Sequence, residues 1–146
     1  MKIKIRKTIP DASLPSRGSD AAAGYDLYAY TDGRDREIPP HSTRLVATGL
    51  QVEIPDGYFG AIFARSGLAT KRSMRPANCV GVIDSDYRGE VMVALHNDSN
   101  AYQKITHGER VAQLVIMPYL SVEFEEVDEL SATGRGSGGF GSTGTN

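Results

Sequence analysis

The chain has 146 residues, of which 23% are charged and 40% hydrophobic, and its formal charge is −2. That length makes about one domain with a respectable core, and the composition excludes both a disordered chain and a membrane class. Lys and Arg are spread along the sequence, so there is no basic field for duplex nucleic acid, and an anionic small molecule would have to be held by local groups.

Cys79 is the only cysteine. An internal disulfide and a Cys-based zinc site are therefore excluded, and a lone cysteine is expected to be a small buried apolar residue. Met1 to Arg6 contains no apolar run of the signal-sequence kind, and no stretch reaches membrane-spanning length. A reducing, cytoplasmic setting is expected, with the nucleus as the eukaryotic or viral variant.

Lys2 to Lys7 alternates charge with Ile, which is strand period. Pro10 to Gly18 reads as loop, and Ala21 to Ala29 as a loop entering a strand at the Leu27-Tyr28 pair. Asp32-Gly33 and Pro39-Pro40 are turns. Ser42 to Leu50, Gln51 to Ile54 and Tyr58 to Ala64 read as strands, the last two separated by Pro55-Asp56-Gly57. Ser66 to Met74 is the one short-helix candidate, with Ser66 as its cap. Asn78 to Ile83 and Glu90 to His96 read as strands around a polar turn, Asp84-Ser85-Asp86-Tyr87-Arg88-Gly89. Asn97 to Asn100 is a further turn. Glu109 to Met117 and Leu120 to Val127 are the last predicted strands. Many short strands at even spacing predict an all-β, single-domain sandwich or barrel of the jelly-roll kind over residues 1–131. Residues 132–146 change character, with six glycines among the last fourteen residues and Phe140 as the one large apolar side chain. Such a segment cannot fold alone, and reads either as a linker or as an arm that orders over a ligand.

Chemistry could sit at several points. The turn between Ile83 and Glu90 offers a carboxylate and an aromatic on one hairpin, or simply good turn geometry. Arg65-Ser66-Gly67 combines charge, a hydroxyl and close backbone approach at a helix start, which suits an anion, or is merely a cap beside a surface arginine. Asp26 is a carboxylate where loop becomes strand. Gln113 interrupts an apolar strand. His41, His96 and His107 lack metal-ligand spacing, and no P-loop pattern is present.

Taken in order, Ala23-Gly24-Tyr25-Asp26-Leu27, Arg65-Ser66-Gly67-Leu68-Ala69, Gly81 to Gly89, Gly108-Glu109-Arg110-Val111-Ala112-Gln113-Leu114 and Arg135 to Gly144 resemble the five motifs of the trimeric dUTPases. All five stand in that family's order and spacing. The resemblance implies a homotrimer with shared active sites that hydrolyses dUTP to dUMP and pyrophosphate with Mg2+, limiting uracil in DNA and supplying dUMP. It implies that Asp84 activates the attacking water and that Tyr87 packs under the deoxyribose. Asn78 with the backbone of Gly81, Val82 and Ile83 would read uracil. Arg65, Ser66, Gly67 and Gln113 would contact phosphates, and Asp26 would reach the metal through a bound water. Arg135, Gly141, Ser142 and Thr143 would close on the terminal phosphate and Phe140 would stack on the base. A deaminase of dCTP on the same fold is the alternative enzyme, and a silent relative that only binds partners is the alternative outside enzymes. Ala64 departs from the proline common before Arg-Ser-Gly in that family.

Overall fold

A computed structural model describes residues 1–139. In these residues the chain forms β1 (Lys4–Lys7), β2 (Tyr25–Tyr28), β3 (Arg36–Ile38), β4 (Thr43–Ala47), β5 (Leu50–Glu53), β6 (Tyr58–Phe63), α1 (Ser66–Arg72), β7 (Met74–Pro76), β8 (Gly81–Ile83), β9 (Met92–Asn97), β10 (Gln103–Ile105) and β11 (Arg110–Pro118). The strands make a four-stranded sheet ordered β2-β11-β6-β8, a three-stranded sheet β4-β9-β7, and the pairs β1-β5 and β10-β3. Every named pairing is antiparallel. The expected all-β architecture is present, as packed open sheets with one short helix.

Alternation decides which faces turn inward. Along β9 Val93, Leu95 and Asn97 are buried while Met92 is exposed, as the two-residue strand period requires. These side chains meet Leu27, Ile38, Val46, Met74, Ile105 and Leu114 in one core. Asn97 is fully buried, and its amide donates to the carbonyls of Ile38, Pro39 and Ala101 at 3.0, 3.1 and 2.8 Å. Its Oδ1 accepts from the N–H and hydroxyl of Ser99 at 3.0 and 2.7 Å. One side chain thus supplies the bonds that two loops lack, since buried polar backbone must be paired.

Four expectations are corrected. Leu120 to Val127 forms no strand: after Pro118 the chain runs exposed, with Leu120 87% and Phe124 93% accessible. Its alternation is real, but none of the described residues covers it. The strand expected from Asn78 starts only at Gly81, because Cys79 donates its N–H to Pro76 (3.1 Å) with φ of +62° and closes a turn. That turn leaves Cys79 exposed rather than buried. Ser66 is the first helical residue and not the cap; Arg65 holds the cap position with extended backbone and no side-chain cap bond. The helix ends at Ser73, whose left-handed backbone (φ 52°) donates to Leu68. No described helix is long and apolar enough to cross a membrane.

Candidate active site

The hairpin after β8 builds one half of the site. Tyr87 N–H donates to the Asp84 carbonyl (3.2 Å), and Arg88 Nη1 donates to Ser85 O and Tyr87 O at 2.6 and 3.0 Å. The turn is thereby rigid, with the Asp84 side chain exposed at its edge. The Tyr87 ring folds back on Gly89: a Cβ there would lie 2.3 Å from the phenol oxygen. The hydroxyl donates to the Glu90 carbonyl (3.0 Å). Glycine at 89 is therefore what lets the ring lie flat as a wall. Beside it opens a pocket of about 310 Å3, lined among others by Asn78, Gly81, Ile83, Asp84, Tyr87 and Met92. It has an apolar floor with one amide, Asn78, and two carboxylate residues, Asp84 and Glu90, a composition suited to a flat heterocycle on a sugar. Among the described residues β8 pairs only with β6, so its outer edge offers backbone donors and acceptors to a base.

The second half sits on β2, β11 and the start of α1. Asp26 stands opposite Gln113 in the β2–β11 register. Arg65 Nε donates to Asp26 Oδ1 (2.7 Å), and Arg110 Nη1 reaches Oδ2 (3.3 Å), while only 14% of the Asp26 side chain remains exposed. Two guanidiniums on one carboxylate leave a net positive charge at this point. A register shift between Arg110 and Ala112 turns Arg110 toward Asp26, the usual work of a bulge beside a site. Gln113 Nε2 donates to the Ala64 carbonyl (2.9 Å), fixing the residue before Arg65. Gly24 permits this, since a Cβ there would fall 2.4 Å from Gln113 Oε1. A cleft of about 420 Å3 runs from Arg65 and Gly67 past Lys71 to Arg110. Four cations and one carboxylate line it, a surface suited to polyanions.

The structure thus brings Asn78, Gly81, Val82, Ile83, Asp84 and Tyr87 together in one place, and Asp26, Arg65 and Gln113 with exposed Ser66 and Gly67 in another. It does not join the two groups. β2 and β8 are opposite edges of the same sheet, three strand spacings or roughly 14 Å apart. Arg135 bonds its own segment, donating from Nε to Gly138 O (2.8 Å). Phe140, Gly141, Ser142 and Thr143 lie outside the described residues. Sequence reasoning missed Arg110 as a partner of Asp26. Its position within Gly108-Glu109-Arg110 was visible, but the bulge that aims it was not.

A family model, dUTPase, matches residues 10–144. The deoxyuridine 5'-triphosphate nucleotidohydrolase of Nautilia profundicola is 48% identical over 144 residues, covering 99% of both chains. The mitochondrial enzyme of the same name from Dictyostelium discoideum is 48% identical, covering 97% of this chain and 76% of its own. Among solved structures, the dUTPase of Staphylococcus bacteriophage 80alpha with dUPNHPP superposes with a TM-score of 0.89 at 27% identity, covering 99% of both chains. A dUTPase of phage phi11 of S. aureus, described with a structural Mg(II) ion, shares the fold at a TM-score of 0.80 and 23% identity, covering 90% of this chain and 100% of its own. With a family model spanning nearly the whole sequence and relatives almost half identical end to end, the chain belongs to the dUTPase family.

Proposed function

We propose that this protein hydrolyses dUTP to dUMP and pyrophosphate, lowering the dUTP available for incorporation into DNA and supplying dUMP. The observation that carries the reading is the hairpin, where an exposed carboxylate, Asp84, stands at the mouth of a base-sized pocket walled by Tyr87. Asn78 and the free edge of β8 present donors and acceptors to uracil, while a cytosine amino group would oppose a donor. The Tyr87 ring under the sugar leaves no room for a 2′-hydroxyl. Asp84 takes a proton from water as its oxygen bonds to the α-phosphorus. The bond from that phosphorus to the bridging oxygen breaks, and pyrophosphate leaves. Arg65, Ser66, Gly67 and Gln113 hold the phosphates, and residues 132–146, with Arg135 and the outlying Phe140, Gly141, Ser142 and Thr143, form an arm closing over the substrate.

Among the described residues no group of three or more His, Cys, Asp or Glu could cage a metal. Both Asp26 oxygens are already engaged by arginines. This donor set fits a magnesium ion carried mainly by substrate phosphates and waters, which Asp26 meets through water. Such an ion supplies neutralisation of the triphosphate charge.

The opposed half-sites support a homotrimer in which one copy's hairpin faces a neighbour's phosphate residues. The exposed run of Leu120, Val122, Phe124, Val127 and Leu130 supports it further, since apolar surface of this extent marks an interface. A cytoplasmic location accords with this chemistry. Pyrophosphate release across dUTP, dCTP, dTTP and UTP tests the reading: only dUTP should react. Asp84→Asn should fold and bind dUTP while turnover falls by about 10²–10⁴, the usual worth of a general base. Unchanged turnover would remove Asp84 from that role, and uracil nucleotides formed from dCTP would replace the reaction itself.

A further inference from the structure

We propose that Arg72 is a positioning residue for the phosphate half-site, acting through Glu109; the proposal rests on the dUTPase reading above. α1 has seven residues and no side-chain cap, and a helix so short is marginal without outside support. Two arginines hold it. At its start Arg65 bonds Asp26 and donates from Nη1 to the Arg110 carbonyl (3.3 Å). In its last turn Arg72 spends its whole fork on the segment leading into β11. Nε donates to Gln103 Oε1 (3.0 Å), Nη1 to Glu109 Oε1 (2.5 Å), and Nη2 to the Lys104 carbonyl.

Glu109 passes this on. Its other oxygen accepts the Thr106 N–H (3.0 Å) and hydroxyl (3.4 Å), closing the turn before β11. The next residue is Arg110, the second cation on Asp26. A closed circuit therefore runs from Arg72 through Glu109, Arg110 and Asp26 to Arg65, and back along the helix. Arg72 and Glu109 also line the cationic cleft, and all three nitrogens of the Arg72 guanidinium donate to protein, three of its five N–H groups. Arg72 therefore sets where Arg65, Gly67 and Arg110 stand. The three-point fork is arginine chemistry that a lysine ammonium cannot reproduce. The hairpin at the far edge of the sheet is untouched by this circuit.

The test compares wild type, Arg72→Gln, Arg72→Lys and Glu109→Gln in dUTP hydrolysis and in calorimetric binding of dUPNHPP and dUMP with magnesium. Arg72→Gln should raise KM for dUTP and Kd for dUPNHPP by about tenfold, the scale of one charge-assisted hydrogen bond. The dUMP affinity and kcat should stay within about twofold of wild type, the signature of lost phosphate binding rather than lost chemistry. Arg72→Lys should fall between, and Glu109→Gln should repeat the pattern. If Arg72→Gln does not fold, the two milder variants carry the same comparison. Equal weakening of dUMP and dUPNHPP, or no weakening of either, overturns the proposal. A wild-type chain without pyrophosphate release from dUTP would sink the functional reading and this proposal together, whereas an active wild type with unaltered variants sinks this proposal alone.

Discussion

Gly89→Ala tests whether the hairpin works through the placement of one ring. The added Cβ would lie 2.3 Å from the Tyr87 hydroxyl oxygen and 2.4 Å from Cζ, where ordinary contact begins at 3.4 Å. The phenol end must therefore retreat by about 1 Å, the difference between 3.4 and 2.3 Å. Backbone cannot yield much there, because the next N–H, of Val91, donates to the Leu50 carbonyl (2.8 Å) and the Glu90 carboxylate accepts the Gly49 N–H (2.7 Å). The ring swings off its bond to the Glu90 carbonyl, a loss of about 1 kcal/mol. Tyr87 is 43% exposed, so solvent takes the ring without a cavity forming, and Tm should fall by only about 2–4 °C. Catalysis should suffer more: an ångström of misplacement at a substrate contact lowers kcat/KM by up to about 100-fold. Pyrophosphate release with dUTP and UTP, beside a thermal melt, separates the two effects. The preference for dUTP over UTP should contract, because the sugar wall has moved. Tyr87→Phe keeps the ring and loses only the bond, and should retain most of that preference. Gly89→Ala with wild-type kcat/KM and a wild-type preference would refute the claim that this ring position matters.

Asn97→Ala removes its amide from one buried and two part-buried carbonyls and from two Ser99 donors at once, and should destabilise the fold by about 2–3 kcal/mol in denaturant titration; a loss below about 1 kcal/mol would show that water satisfies those groups. Phe124→Asp should leave the domain folded yet shift its mass in light scattering from trimer toward monomer, since a covered Phe contributes about 1.5–3 kcal/mol per copy. An unshifted mass would show that the segment after Pro118 does not join copies.

Much of this molecule could be read before its shape was known. β1, β5, β6 and β11 followed from alternation and from the Pro-Asp-Gly turn, and β2 from the Leu27-Tyr28 pair, while the turn holding Asp84 and Tyr87 was legible as a hairpin whose residues alone suit turn geometry as well as a site. β3, β7 and β10 did not, because three residues each are too few for a period to register, and β8, equally short, was legible only within a longer run ending at Ile83. Leu120 to Val127 was over-read for an instructive reason: alternation reports an apolar face but not which chain covers it. In the candidate site, Arg65 and Gln113 drew notice only as a charge at a helix start and a polar residue within an apolar strand, and both also suit ordinary surface positions. The roles of Arg110, Arg72 and Glu109 were not, because surface arginines and glutamates look alike in sequence until a bulge and a turn aim them. Cys79 went the other way: composition favours burial, and local turn geometry overrode it.

The order β2-β11-β6-β8 has a genetic consequence. With Asp84 at one edge and Arg65 bonded to Asp26 on the other, lesions in the two half-sites of the proposed trimer need not fall in the same catalytic unit. Asp84→Asn and Arg65→Ala chains, each inert alone, should complement one another when co-refolded. Random mixing leaves about a quarter of head-to-tail junctions with a sound hairpin against a sound phosphate cradle. Two dead alleles would then yield a live hybrid, and a heterozygote could carry more activity than either parent.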